Sequence, residues 1–441
     1  MEHPKLIGDT NFLIVLIAIA VTLLIDTSIA KINDLIDIAT ESKLILFSLN
    51  SSICLLLQFI IIKYAVHSFG RRELGNIPKV RGLYVISLAS FFTLAVFVCL
   101  IMFQLFYYDF YDTWINIVIV SISYGTSALL LIRLSIYFFH WYNSKHDLVV
   151  LLYFVSMSLI AFNLISTALF VDFKLTDIQH RVREFVGGGG DISGGKHTSL
   201  GNLYSISSFL SFFSIWMTTA IVMNSYREKL IRSVTYWIIL VLPLVYFLIT
   251  NFYLSFLNNA LSSYFQNDPV TGTMLVSAIL ALSKPIGGLI FAIAFWNISR
   301  RVSYEKKMQI SMIIAGWGIF FIFSANQATT QFIKPYPPFG IPTVTLLNMA
   351  AYLMVLGIYN AATLVSVNNS LRSYIHKSAL KLLNPIGRAE MEREIQKTIL
   401  KISEDKEIAK ISKDESFEFD EGELKKYMEE VIKLKKEQSS K

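Results

Sequence analysis

Residues 341–367 read IPTVTLLNMAAYLMVLGIYNAATLVSV. The stretch carries no charge. As a helix it would extend about 40 Å, enough to cross a hydrocarbon core of roughly 30 Å. It therefore reads as a membrane helix. The chain beyond it differs in kind: residues 371–441 hold 16 Lys/Arg and 15 Asp/Glu, out of 39 and 32 in the whole chain. The contrast sets one boundary near residue 370, between a membrane domain (1–370) and a charged cytosolic tail (371–441).

Working back from that span, nine more apolar runs of suitable length appear: 12–30, 44–64, 83–106, 114–136, 148–170, 203–224, 234–254, 274–297 and 308–326. Only 16% of residues are charged and 54% are hydrophobic, against about a quarter charged in soluble domains. The expected fold class is all-α: a polytopic helical membrane protein of about ten spans with a short helical tail. The N-terminus and the loops after even-numbered spans carry 13 Lys/Arg, and the loops after odd-numbered spans carry 7. By the positive-inside rule both termini lie in the cytosol of a cell-membrane protein. Run 12–30 also resembles the apolar core of a signal peptide, with Ser28-Ile29-Ala30 at a cleavage spacing. A retained helix is the expectation; cleavage would place the new N-terminus outside.

The net charge of +7 needs no nucleic acid, because the excess sits in short loops. Cys54 and Cys99 lie within apolar runs and read as small hydrophobes. Gly190-Asp191-Ile192-Ser193-Gly194-Gly195-Lys196-His197 nearly matches a phosphate-binding loop, but His197 stands where a Ser or Thr must hold magnesium. In the long outside loop, 171–202, residues 172–185 are expected to form a surface helix and 187–195 a linker. Asp177, His180 and His197 share this loop, and solvated side chains explain them better than a metal site. His376 has no acidic neighbour and no following ATP-binding domain, which excludes a histidine kinase. No nucleophile, base and metal set converges, so no enzyme and no cofactor is expected.

Charged residues inside spans are functional candidates by default. Asp26 and Lys284 are the two of interest, as an intramembrane ion pair; snorkelling of Lys284 is the bland alternative. Lys284 precedes Pro285-Ile286-Gly287-Gly288, a sequence that suggests a broken helix at Pro285, Gly287 and Gly288. Asn326, Gln327, Gln331 and Asn348 form a candidate outer polar pocket, against the simpler reading of hydrogen bonds between helices. In the tail, amphipathic helices are expected near 385–402, started by Asn384-Pro385, and near 423–437. Their apolar stripes need a partner: each other, a second protomer or another protein. Besides the lipid bilayer no partner or ligand is named by the residues. The leading functional expectation is a sensor or signal-transducing subunit coupling an outward-facing pocket to the tail. A secondary transporter and a structural subunit of a membrane complex are the alternatives.

Overall fold

A computed structural model describes residues 8–32, 40–68, 78–108, 110–187, 194–224, 233–252, 269–302, 305–328, 337–377 and 382–411. Ten long helices fall on the ten apolar runs: α1 (Gly8–Ile32), α2 (Thr40–Ser68), α3 (Pro78–Tyr108), α4 (Thr113–Lys145), α5 (Leu148–Gly187), α6 (Gly194–Asn224), α7 (Ser233–Phe252), α8 (Pro269–Arg301), α9 (Lys306–Ala328) and α10 (Ile341–Val367). Two more come after them, α11 (Asn369–Lys377) and α12 (Leu383–Ile411). Eight of the ten are long and apolar enough to cross a membrane, and α1 and α7 contain shorter apolar stretches. The protein is an all-helical, multi-pass membrane protein. Its proximal end is the one where α1 starts and α10 finishes; its distal end is the other.

The surface shows what surrounds the bundle. On α3, Leu83, Ser87, Phe91, Leu94, Val98, Ile101 and Leu105 are buried, while Val85, Ile86, Phe92, Val96, Phe103 and Phe106 are exposed. Both faces of the helix are apolar. An exposed apolar face of this extent would be unstable in water and matches lipid. The interior is apolar as well, and buried polar residues such as Asp26, Asn50, Gln58 and Asn348 are set within it.

Helix α10 lies at the centre of the bundle. It packs against α1, α2, α3, α4 and α9. Every residue from Ile341 to Tyr359 is buried. Its approach to α9 is backbone to backbone. A Cβ added at Gly357 would lie 2.5 Å from the Ser311 carbonyl oxygen, and one at Gly318 would lie 2.6 Å from the Met354 nitrogen. Small residues are what allow helices to associate in lipid, where no hydrophobic force drives them together. Asn360 Nδ2 ties the same pair by donating to Ser311 Oγ at 2.9 Å.

Several local expectations change. Helix α8 runs unbroken through Lys284-Pro285-Ile286-Gly287-Gly288. Proline removes one helical hydrogen bond, and membrane bundles tolerate this when neighbouring helices close around it. The two glycines serve packing: a Cβ at Gly287 would overlap the Phe212 ring, and one at Gly288 would come within 3.1 Å of the Phe320 carbonyl oxygen. Residues 172–185 are a continuation of α5, not a separate surface helix. Cys54 is buried as expected, whereas Cys99 is exposed on the lipid side of α3.

The chain divides into two compact units, residues 1–391 and 392–441. The first contains α1 to α11 and the start of α12. The described part of the second is the rest of α12. That helix begins at Leu383, so Asn384 lies inside it and its Oδ1 has no hydrogen-bond partner among the described residues; it is not the N-cap. Residues 423–437 lie outside the described residues.

Two outcomes are expected. Gly357→Val should weaken the α9–α10 contact by about 1–3 kcal/mol, the usual cost of overpacking, seen as a lower unfolding midpoint in detergent. Leu16, Ile19, Leu23 and Asp26 of α1 are all buried in the bundle, so α1 should be retained. Intact mass of the purified protein should include residues 12–30; a species starting after Ala30 would refute this.

Candidate functional site

The first turn of α10 leaves backbone amides without partners inside the helix. Gly340, with φ 93°, turns the chain into the helix, and Pro342 removes one orphan amide. No side chain of the turn caps the helix. The cap comes from α1. Asp26, 1% exposed, accepts hydrogen bonds on Oδ2 from the Thr343 amide at 3.2 Å and from Thr343 Oγ1. Its Oδ1 accepts from Asn50 Nδ2 of α2 at 3.0 Å. The Gly340 amide also interacts with it. A carboxylate at the positive end of a helix is favoured electrostatically, and here it sits where water cannot compete.

Around this carboxylate the same helix is held by further polar bonds. Gln58 Nε2 donates to Thr345 Oγ1 at 2.8 Å, and Thr345 Oγ1 donates to the Pro342 carbonyl at 2.7 Å. Ser123 Oγ of α4 donates to the Val344 carbonyl at 2.6 Å. Asn348 Nδ2 donates to the Ser87 carbonyl of α3 at 3.2 Å. Five helices thus meet at the distal end of α10: α1, α2, α3, α4 and α10 itself. Beside it, in the turn before α4, Tyr111 is buried and accepts from Asn116 Nδ2 at 3.1 Å; burial pushes its phenol pKa upward, so it stays neutral.

The proximal end of α10 is held by the chain that comes after it. Asn368 breaks the helix in an extended conformation and caps α11, its Oδ1 accepting from the Leu371 amide at 3.1 Å. Arg372 turns back: its guanidinium donates to the Ser366 carbonyl at 2.6 Å and contacts the Met391 sulfur. A Cβ at Gly387 would overlap the Val365 side chain, so α12 starts in direct contact with α10. Glu390 is 1% exposed, and its Oε2 accepts from Trp141 Nε1 of α4 at 2.8 Å. Trp141 stacks on Tyr137, and Tyr137 packs on Tyr359 of α10 with ring centroids 5.1 Å apart.

Asp26 and Lys284, the candidate intramembrane ion pair, do not pair. Asp26 turns to Asn50 and Thr343, and Lys284 Nζ donates to Tyr204 Oη of α6 at 2.9 Å. The Lys284 side chain is buried, so it does not snorkel to the interface either. Asn326 accepts from Tyr124 Oη at 3.2 Å on the α4 side, while Asn348 bonds to α3. Both act as interhelical links and do not share a bond. Gln327 is buried; Gln331 lies outside the described residues. So do the side chains of Asp177, His180 and His197. Among the described residues no three His, Cys, Asp or Glu side chains gather as a metal site.

No protein family, no curated protein and no solved structure matches this chain. The site must be judged on its own geometry.

Sequence reasoning missed Thr343, Asn50 and Glu390. Thr343 had a signal, since it follows Gly340-Ile341-Pro342 at a helix start. Asn50 and Glu390 had none, because their partners are 24 and 249 residues away. Asp26→Ala should leave the buried donors of Thr343, Asn50 and Gly340 that now point at its carboxylate unsatisfied. A loss of about 1–3 kcal/mol is expected, read as a lower unfolding midpoint, with Thr343→Val costing less because only one bond disappears.

Proposed function

We propose that this protein is a non-enzymatic membrane signal-transducing subunit in which α10 couples the distal polar node to the tail. The observation that carries the reading is the unbroken burial of α10 from Ile341 to Tyr359 together with its polar anchoring at both ends. A helix enclosed by its neighbours from Ile341 to Tyr359 moves there only if they move, so displacement at Asp26 is passed to Val365, Gly387 and Glu390. Transitions of this kind are small shifts of packed helices between two arrangements.

Orientation comes from charge. Arg300, Arg301, Lys306 and Lys307 cluster at the proximal end, which supports a cytosolic proximal end and tail by the positive-inside rule. In this reading the membrane is the cell membrane. The distal node then faces outward and the tail presents its amphipathic stripe to a protein partner or to a second protomer.

A secondary transporter is the alternative. The close backbone contact of α9 and α10 at Gly318 and Gly357 weighs against a solute path along the central helix. The continuous α8 removes the discontinuous-helix feature that favours transport.

Coupling is tested by hydrogen exchange on the full-length protein in nanodiscs. Asp26→Asn should increase exchange of residues 383–391, at the opposite end of α10, whereas Leu242→Ala on a lipid-exposed face should not. Unchanged exchange at 383–391 sinks the coupling reading. Removal of residues 392–441 should abolish capture of the signalling partner. A tail-less protein that moves a solute across liposomes at the full rate would favour the transporter.

A further inference from the structure

Lys284 is 2% exposed on α8. Its Nζ donates to Tyr204 Oη and lies 5.0 Å from the Tyr204 ring centroid. An ammonium has three donors, and among the described residues one hydroxyl and one ring face serve it. No carboxylate is among its described partners. Buried charges in membranes pair, or they mark the path of an ion or substrate.

The register of the neighbouring helices places other polar groups at the same depth. Gly287 packs on Phe212 of α6, and Gly288 packs on Phe323 of α9. Consecutive spans alternate in direction, so α6 and α8 run from distal to proximal and α9 runs back. One turn distal to Phe212 is Ser208, and the residue distal to Phe323 is Ser324. Both are buried, at 3% and 0% exposure. Both hydroxyl oxygens are without a hydrogen-bond partner among the described residues. Buried polar groups left unpaired in a native protein call for an unseen water or ion. By this register both serines sit near the level of Lys284 on the two helices packed against α8.

An apolar floor closes this level on the proximal side. The rings of Phe212, Phe291 and Phe323 meet with centroids 5.1–5.8 Å apart. A cationic column leads toward the distal end. The Tyr204 ring stacks on Phe170 of α5 at 5.3 Å, and Lys174 Nζ lies 4.6 Å from the Phe170 centroid. Lys174 is half-buried. Two lysines therefore lie beside one aromatic pair, Lys174 near the distal end and Lys284 inside.

We propose that Lys284 is the binding residue of an anion site on α6, α8 and α9, with Tyr204, Ser208 and Ser324 as hydroxyl donors, that takes a small carboxylate from the distal side. The donors come from three helices. A carboxylate accepts from several directions on two oxygens, which suits them better than a single halide. The phenylalanine floor limits the ligand to a short apolar body. As the input to signalling, the site rests on the proposed coupling through α10; as a binding site, it does not.

The test uses the purified full-length protein, with thermal unfolding followed while sodium acetate replaces sodium chloride at constant ionic strength. The wild type should gain stability saturably with acetate. Lys284→Met should lose that response. Ser208→Ala and Ser324→Ala should each raise the half-saturating acetate concentration, roughly tenfold for a lost bond to a charged group. These serine variants, with Lys284→Arg as the charge-conserving control, carry the test if Lys284→Met does not fold. A wild type indifferent to the exchange overturns the proposal, because it means that water fills the site or chloride serves equally. Serine variants with the wild-type response overturn it too. The measurement reads binding alone: coupling to residues 383–391 can fail with acetate bound, and the converse.

Discussion

Helix α10 is buried on all sides from Ile341 to Tyr359, so polar groups there depend on protein partners, and Asn348 Oδ1 and Tyr352 Oη have none among the described residues. Its first turn is where that demand is hardest to meet. Orphan amides point out of the helix end, and a buried unpaired amide costs about as much as a lost hydrogen bond. Asp26 meets the demand from another helix, with Asn50 and Thr343 holding its two oxygens. The arrangement fixes α1, α2 and α10 relative to one another at one point. A buried charge is costly to leave uncompensated, so this carboxylate acts as a positional constraint on the bundle and not simply as one more contact.

The rest of the architecture obeys the logic of an apolar solvent. Large aliphatic and aromatic side chains such as Phe92, Val96, Phe103 and Phe106 face outward. Inside, among equally large apolar side chains, small residues permit close backbone packing and polar ones make the hydrogen bonds between helices. The contact at Gly318 and Gly357 and the Phe212–Gly287 contact are two instances of the first kind. The pairs Tyr124–Asn326, Ser207–Asn163 and Asn360–Ser311 are instances of the second. The same physics explains why Lys284 stands apart: its surroundings satisfy it less fully than they satisfy Asp26.

At the proximal end the chain after the last span returns to the bundle. Arg372 closes the carbonyl end of α10, where a cation complements the helix dipole. Gly387 and Glu390 then seat the start of α12 against α10 and α4. Residues 371–391 thus belong to the same compact unit as the spans, although their composition resembles the tail.

Ten long apolar helices, eight of them of spanning length, the all-helical class and the membrane itself were legible in the sequence, because hydrocarbon thickness imposes a length and a composition on any helix that crosses it. Asp26 and Lys284 were also legible as exceptional residues, since charge inside an apolar run is expensive wherever the helix sits. Their partners were not. Pairing depends on which helices touch and in what register, and in lipid both the outside and the inside of a bundle are apolar. Hydropathy therefore cannot mark the centre: α3, with much of its surface facing lipid, is more hydropathic than the wholly buried α10. The unbroken course of α8 through Pro285, the seating of Glu390 on Trp141 and the cap supplied by Asp26 were all decided by tertiary packing, because each joins residues that the chain itself keeps apart or leaves without a local cue.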